Sequence, residues 1–499
     1  MPKTPWADRY RAAPTNKSNV MRTIILEGPI SRAALAKRVG LSLPSVMTIT
    51  ENLINRGLVR AVGKGKSSGG KPPELLSVVP ESEYYMGVDI GRGTIRLVLM
   101  NLAQKVVYGT MVETGEVQPV EAFVDRLCER IQSSLLESGV ALDRLAGVGV
   151  AMPGLIERDT GHILFSPDFG WSDIPLQSWL QSRLSYPVLV ENANRALALA
   201  ESGWRGDGGE SGTHTVLCVN IGHGIGAALM QNNQLYYGSS GTSGELGHIT
   251  VCKDGPLCAC GNSGCLEAVA SGEAIALQAR DAVCSGLPTS LRERCGGASE
   301  RIDAKLVFEA AAKGDAVALS IVDKATDYIG IGLAMAINIL DPDCIVLCGG
   351  LTRNGPLFFD RVAHSMQMRQ MRQAGRHVTL RLGTRGDYGT AIGAAHIISY
   401  NGWRVPRLEH YYCVADGLFC REIDGLFCRS SPDIIVRRRC VLSHKRRGWL
   451  QPSPSFRYSR NLALQDELYH PVINNGPAVL VCVDKRLGTG PVNQSRDAG

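Results

Sequence analysis

No run of about 18 apolar residues occurs in the 499-residue chain, so the sequence offers no helix able to span a bilayer. The opening MPKTPWADRY has no apolar core, and no secretory signal is expected. Charge is not in large excess. A net charge of +6 permits a nucleic-acid partner but also suits many soluble enzymes. Fifteen cysteines without a leader point to a reducing, cytoplasmic compartment. There, clustered thiols read as metal ligands rather than disulfides. The length predicts two or three units, and 44% hydrophobic with 20% charged residues supplies a sizeable core.

Three stretches follow one another. Residues 1–80 read as three helices and a hairpin, with the linker KSSGGKPPE inside the hairpin. Residues 81–400 alternate apolar β runs (MGVDI, RLVLMNL, GVGVAM, TVLCVNI, CIVLCGG) with alanine-rich helical stretches such as RALALAES and IGIGLAMAINIL. This is an α/β pattern long enough for two lobes. Residues 401–499 lose that periodicity, turn locally basic, and carry DGLFCR twice, at Asp416–Arg421 and Asp424–Arg429. They read as a disordered or non-family extension, with a small accessory domain as the alternative.

Within the first stretch, Ser31–Gly40 predicts a helix with Ala34, Leu35 and Val39 as its apolar stripe, ended by a turn at Gly40. Ser42 then serves as N-cap of the next helix, and Pro44 sits in its first turn. Val46, Ile49, Leu53 and Ile54 form the buried face of that helix, leaving Ser45, Met47 and Thr48 outward. A recognition helix presents side chains to a major groove in this way. Ser18–Val79 as a whole resembles a winged helix-turn-helix, with Lys64, Lys66 and Lys71 on a basic wing that meets phosphates or a minor groove. A protein-interaction module with a solvated lysine loop is the competing reading.

The sharpest motif is GHITVCKDGPLCACGNSGCLE, Gly247–Glu267. His248, Cys258, Cys260 and Cys265 supply one imidazole and three thiolates, the donor set of a closed, structural zinc site. Gly261 and Gly264 let the chain fold back around one ion. Cys252 is left out of the set.

The GELGH of Gly244–His248, the following CACGNSGC and Leu266-Glu267 together resemble the signature of the ROK family of repressors and sugar kinases. Other blocks agree in order: Asp89-Ile90-Gly91 with the first phosphate loop, GVAMPG at Gly149–Gly154, GHGIG at Gly222–Gly226 with the second phosphate loop, DPDCIVLCGG at Asp341–Gly350, and GDYGTAIGAA at Gly386–Ala395. With the preceding helix-turn-helix, the arrangement resembles the repressor branch. The resemblance implies an α/β, two-lobed actin-like ATPase fold with a sugar site in the cleft. It carries sugar contacts onto Glu245, His248 and Glu267, with His248 also holding zinc through its other ring nitrogen. Carboxylates accept from paired hydroxyls, which suits a polyol. Glu267 alternatively serves as a helix N-terminal carboxylate.

The same resemblance exposes departures from a kinase. Phosphoryl transfer to a hydroxyl needs a base and phosphate-binding loops. The stretch Glu191-Asn192-Ala193-Asn194 puts Asn192 at the base position in one register. The other register aligns Glu201 with a downstream family glutamate and puts Ala193 there. Neither residue accepts a proton, although Asn192 and Asn194 can still hydrogen-bond a sugar. In the first loop (Asp89, Gly91, Arg92), Arg92 replaces a glycine; in the second (Gly222, His223, Gly224), His223 replaces a small hydroxyl residue. Large side chains there obstruct approach to phosphate.

The expected protein is a sugar-responsive transcriptional regulator, a repressor by resemblance, with an impaired kinase-like domain. Its expected partners are a palindromic double-stranded operator and a sugar or sugar phosphate. A homodimer or homotetramer and no membrane partner are expected. An active sugar kinase carrying a DNA-binding module is the alternative.

Overall fold

The computed structural model describes residues 16–66, 72–202, 215–232, 234–371 and 378–402, with three short strands beyond them. The chain divides into two compact units, Met1–Val405 and Pro406–Gly499.

The first unit begins with α1 (Asn16–Glu27), a two-residue β1 (Ile30–Ser31), α2 (Arg32–Val39), α3 (Leu43–Asn55), and a hairpin of β2 (Val59–Lys64) and β3 (Glu74–Val78) in the order β1-β3-β2. Capping sets the helix starts. Ser31 Oγ accepts from the Ala34 amide at 3.2 Å and Ser42 Oγ from the Ser45 amide at 3.3 Å. Gly40 ends α2 at φ +68°. Val20, Met21, Ile24, Leu35, Val46, Leu53, Leu58 and Leu76 form the core of this module. One expectation is corrected: Ala34 faces solvent. With Ser31 as cap the helix begins at Arg32, and its phase turns Leu35, Ala36 and Val39 inward instead.

Two larger sheets follow. The first holds β4 (Tyr84–Ile90), β5 (Thr94–Asn101), β6 (Val106–Glu113), β7 (Leu145–Met152) and β11 (Val188–Asn192), ordered β11-β7-β4-β5-β6. Helices α4 (Val120–Glu137) and α5 (Leu176–Arg183) belong to this lobe. So does a small sheet of β8 (Leu155–Ile156), β9 (Ile163–Ser166) and β10 (Trp171–Ile174). Helix α6 (Ala193–Ser202) leads to the second sheet. That sheet holds β12 (Thr215–Ile221), β13 (Ile225–Gln231), β14 (Gln234–Tyr236), β15 (Cys344–Cys348) and β16 (Thr379–Leu382), ordered β14-β13-β12-β15-β16. Its helices are α7 (Leu266–Ala270), α8 (Gly272–Cys284), α9 (Leu291–Arg294), α10 (Ala304–Ala312), α11 (Ala316–Leu340) and α12 (Pro356–Arg369).

Both sheets repeat one plan. A three-strand antiparallel meander is extended by two parallel strands on the side of its first strand. This duplicated α/β plan is the two-lobed architecture that the resemblance implied. Each lobe has its own core, Phe123 and Trp171 in one and Phe308 and Phe358 in the other. The last helix, α13 (Gly389–Gly402), lies so close to the first sheet that a Cβ on Gly149 would fall 1.9 Å from the Ala394 carbonyl. Helix α6 packs against α13 and also against β12 and β13, so it spans both sheets.

The N-terminus of α11 carries a testable contribution to stability. Asp315 accepts from the amides of Ala318 and Ser290 and from the hydroxyls of Ser290 and Thr289. Burial pushes its carboxyl up, but these donors outweigh burial and hold it at about 2, against an ordinary 3.8. Asp315→Ala should therefore destabilise by about 2 kcal/mol. Because the folded-state value is depressed, the contribution is present above pH 3.8 and lost as pH falls toward 2. Urea denaturation of both proteins across that range should show the two curves converge in acid.

No helix among the described residues is long and apolar enough to cross a membrane. Among its described residues the second unit has three antiparallel strands, β17 (Tyr412–Ala415), β18 (Leu418–Glu422) and β19 (Cys440–Ser443), ordered β17-β18-β19. The second DGLFCR copy lies outside the described residues.

Candidate functional site

Ser42, Pro44, Ser45, Met47 and Thr48 are all solvent-exposed along the first turns of α3. Beneath them Val46 and Leu53 are fully buried, with Ile49 and Ile54 packed against the same core. Leu43 is also exposed, a position the sequence reading passed over. Hydroxyls beside apolar side chains can meet both base-edge hydrogen-bonding groups and thymine methyls. Arg32 fixes the module internally, donating to Thr50 at 3.1 Å and to Glu74 at 2.7 Å. Lys64 and Lys66 are exposed at the end of β2, and Lys71 lies outside the described residues.

His248, Cys258, Cys260 and Cys265 converge so that their ligand atoms all lie within 4.8 Å of one another. His248 Nδ1 is 3.6 Å from Cys258 Sγ, and Cys260 Sγ is 3.6 Å from Cys265 Sγ. Tetrahedral zinc at ordinary bond lengths separates two thiolates by about 3.8 Å, so the donor set and its spacing fit a metal ion. The backbone makes this possible at Gly264, whose φ is +70° and whose Cβ would lie 1.6 Å from the Cys252 carbonyl. Cys252 is not among the converging ligand atoms and lies beside Tyr328. Burial, then the hydrogen bonds its S–H donates to Cys260 and Cys258, push the Cys265 thiol up to about 12. A bound cation reverses that preference by stabilising thiolates.

With Nδ1 turned to the thiols, His248 presents Nε2 to Glu245 Oε2 at 3.9 Å. Glu267, in the first turn of α7, reaches across to accept from the Ile225 amide at 2.8 Å. Burial raises the Glu245 carboxyl; His248 and Arg195 oppose the rise, and the charge of Glu267 adds to it. These three predicted sugar contacts therefore stand together. Asn194 Oδ1 accepts from Asn220 on β12 at 3.2 Å. Asn192 is differently engaged. Its Oδ1 accepts from the amides of Asn194 and Arg195 at the start of α6, and its Nδ2 donates to the Gly154 carbonyl at 2.9 Å.

The two segments that resemble phosphate loops form the tight turns β4–β5 and β12–β13. Asp89 is the penultimate residue of β4, where burial pushes its carboxyl up to about 6 against the pull of Arg96, 3.3 Å away. Gly91 bonds to Thr94 within the first turn and Gly222 to Gly224 within the second. Arg92 and His223 leave these turns and hydrogen-bond to each other.

Comparison with known proteins agrees with this geometry. A ROK family profile matches residues 85–400, which is most of the chain. The chain belongs to the ROK family. A winged helix-turn-helix DNA-binding profile matches residues 15–60, ahead of the ROK segment. The xylose repressor of Bacillus subtilis (strain 168) is 29% identical over 394 residues, covering 79% of this chain and 97% of that protein. The crystal structure of a ROK family transcriptional regulator, a homologue of the E. coli MLC protein, superposes with a TM-score of 0.67 at 27% identity. It covers 80% of this chain and 98% of its own. A ROK glucokinase from Streptomyces griseus, solved with glucose and AMPPNP, gives 0.55 at 28% identity, covering 63% of this chain and 98% of its own.

The regulator thus covers a larger share of this chain than the kinase does. Within the ROK lobes, the sequence reading missed one cluster, built around the buried pair Glu191 and Arg195. Glu191 accepts from Tyr237 Oη at 2.8 Å and pairs with Arg195 at 3.2 Å. Arg158 and Arg195 lie over the Tyr237 ring at 4.1 and 4.9 Å. Arg195 also donates to the Gly241 carbonyl. Its one signal in the sequence was a charged residue inside the apolar run that begins α6. Glu201, at the other end of α6, accepts from the amides of Thr384 and Arg385.

Proposed function

We propose that this ROK protein is a sugar-responsive DNA-binding transcriptional repressor of carbohydrate-utilisation genes, working in the reducing cytoplasm. The single observation that carries the reading is the joining, in one chain, of an exposed and capped recognition helix to a lobe in which Glu245, His248 and Glu267 converge. Residues 1–80 form the DNA-binding domain and residues 81–400 the effector domain. Residues 401–499 are an appendage outside the family pattern. Ser42, Pro44, Ser45, Met47 and Thr48 meet base edges and adjacent phosphates, and Lys64, Lys66 and Lys71 meet the backbone. The effector is a sugar or sugar phosphate bound by Asn194, Glu245, His248 and Glu267, with Asn192 bordering the site. Zinc, held by His248, Cys258, Cys260 and Cys265, is structural; when bound it fixes the Nε2 of His248 toward the cleft.

Several observations support regulation over phosphoryl transfer. Neither Asn192 nor Ala193 can accept a proton, and Glu191 is held by Arg195 and Tyr237. The altered loops place Arg92 and His223 where phosphates would need room. Effector binding changes the geometry of a symmetric dimer or tetramer, and with it the spacing of two winged helices. A palindromic operator then carries half-sites about 34 Å apart. Coupling of about 1–3 kcal/mol between sugar and DNA suffices.

The test is binding of the purified protein to the DNA upstream of its own gene, titrated with free sugars and their phosphates. Specific binding released by one compound is expected. ADP release with a hexose, and no specific DNA binding, would replace this reading with that of a sugar kinase.

A further inference from the structure

We propose that Arg92 and His223 form an interlobe clasp that takes the place of a nucleotide's phosphates and makes the cleft selective against nucleoside triphosphates. The inference rests on reading these two turns as altered phosphate loops, and goes beyond that reading by assigning the altered residues to each other.

Arg92 stands in the turn between β4 and β5 of one lobe, and His223 in the turn between β12 and β13 of the other. Arg92 Nη1 donates to His223 Nε2. The donor role of Arg92 leaves the imidazole proton on Nδ1, which faces Glu273 Oε2 at 3.6 Å. Glu273 is fixed in turn by Arg280 at 3.0 Å, and Arg280 is anchored on the Ile302 carbonyl. On the other side Arg92 faces Asp168 Oδ1 at 3.7 Å. A polar chain thus runs from Asp168 through Arg92 and His223 to Glu273 and crosses from lobe to lobe once.

The same chain rules out the simpler idea that two cationic side chains gather a free anion. Each already faces a carboxylate, so an incoming phosphate would meet Asp168 and Glu273 as well. The N-terminal amides of α8 are also spent, since Gly272 and Glu273 donate to the carbonyls of Gly222 and His223. A triphosphate would have to part Arg92 from His223 and approach two carboxylates without gaining those amides. Gly222 lies 3.9 Å from the Gly350 amide when given a Cβ, so the second turn sits beside the glycine pair that follows β15. The clasp therefore closes the phosphate end of that region.

Both side chains are about half exposed, so replacing them leaves the cores intact. The experiment uses the full chain and magnesium–AMP-PNP as probe, read by equilibrium dialysis. Zinc content and thermal unfolding serve as folding controls. The Arg92→Gly/His223→Ser double variant should bind the probe about tenfold or more tighter than the parent. His223→Gln keeps an acceptor for Arg92 and a donor for Glu273, and should exclude the probe as the parent does. Equal binding in parent and double variant, whether both bind or neither does, would overturn the clasp. Failure of the regulatory reading looks different: the parent itself would bind AMP-PNP and turn over ATP with a sugar.

Discussion

Cys265→Ser should strip the metal from the protein, taking zinc from about one ion per chain to near none and lowering the unfolding midpoint by about 10 °C. Cys265 is the deepest of the four clustered donors, fully buried at the N-cap of α7. Its sulfur is 3.6 Å from Cys260 and also lies against the His248 carbonyl at 3.5 Å. A serine hydroxyl at this position offers zinc a far poorer ligand than a thiolate. Structural zinc contributes about 10–16 kcal/mol to isolated zinc-finger peptides, where it is the whole of the fold. Here a separate apolar core spans α7, α8, α10 and α11, so the loss should stay local to Gly247–Glu267 and be smaller. That segment holds both His248 and Glu267, so response to the effector should disappear with the metal, while operator binding by α3 persists. Cys252→Ser is the matched control, because Cys252 lies in the same loop but outside the converging set. Metal analysis decides the matter. Undiminished zinc in Cys265→Ser would remove this residue from the ligand set.

The contrast between those two cysteines shows what was legible in the chain. Four candidate ligands within one short loop are legible from residue type and spacing, but Cys252 lies in the same loop, and only the convergence of the other four sets it apart. In α3 the Ser42 cap and a helical apolar period fix which residues face outward. Ala34 shows the limit of periodicity. An apolar stripe can be drawn through several phases, and only the cap bond from Ser31 sets the one adopted. Contacts between the lobes were not legible at all. Arg92 meets His223 across 131 residues. Nothing local marks such partners, because they are set by how two independently formed sheets pack around α6. The duplicated sheet plan was reachable through a resemblance and not through strand periodicity, which says which runs are strands but not their order.

Glu245→Ala should leave operator affinity unchanged and raise the effector concentration needed for half-release by about 10- to 100-fold. A hydrogen bond to a charged group contributes about 1.5–3 kcal/mol, and each 1.4 kcal/mol is tenfold. The effect belongs to the effector site alone, since Glu245 sits beside His248 and far in sequence from α3. Its carboxyl is raised mainly by burial, with Glu267 adding to the rise and His248 and Arg195 opposing it. Two carboxylates brought this close disfavour each other's charge, and hydroxyls donated by a polyol relieve that strain. Alanine removes the acceptor without leaving a buried cation unpaired, because Arg195 retains Glu191. Glu245→Gln keeps one acceptor oxygen and should fall between parent and alanine. Fluorescence anisotropy of labelled operator, titrated with the compound that releases the parent, measures both quantities at once. An alanine variant that binds DNA normally and is released at the parent's concentration would take Glu245 out of the effector site, leaving His248 to its metal.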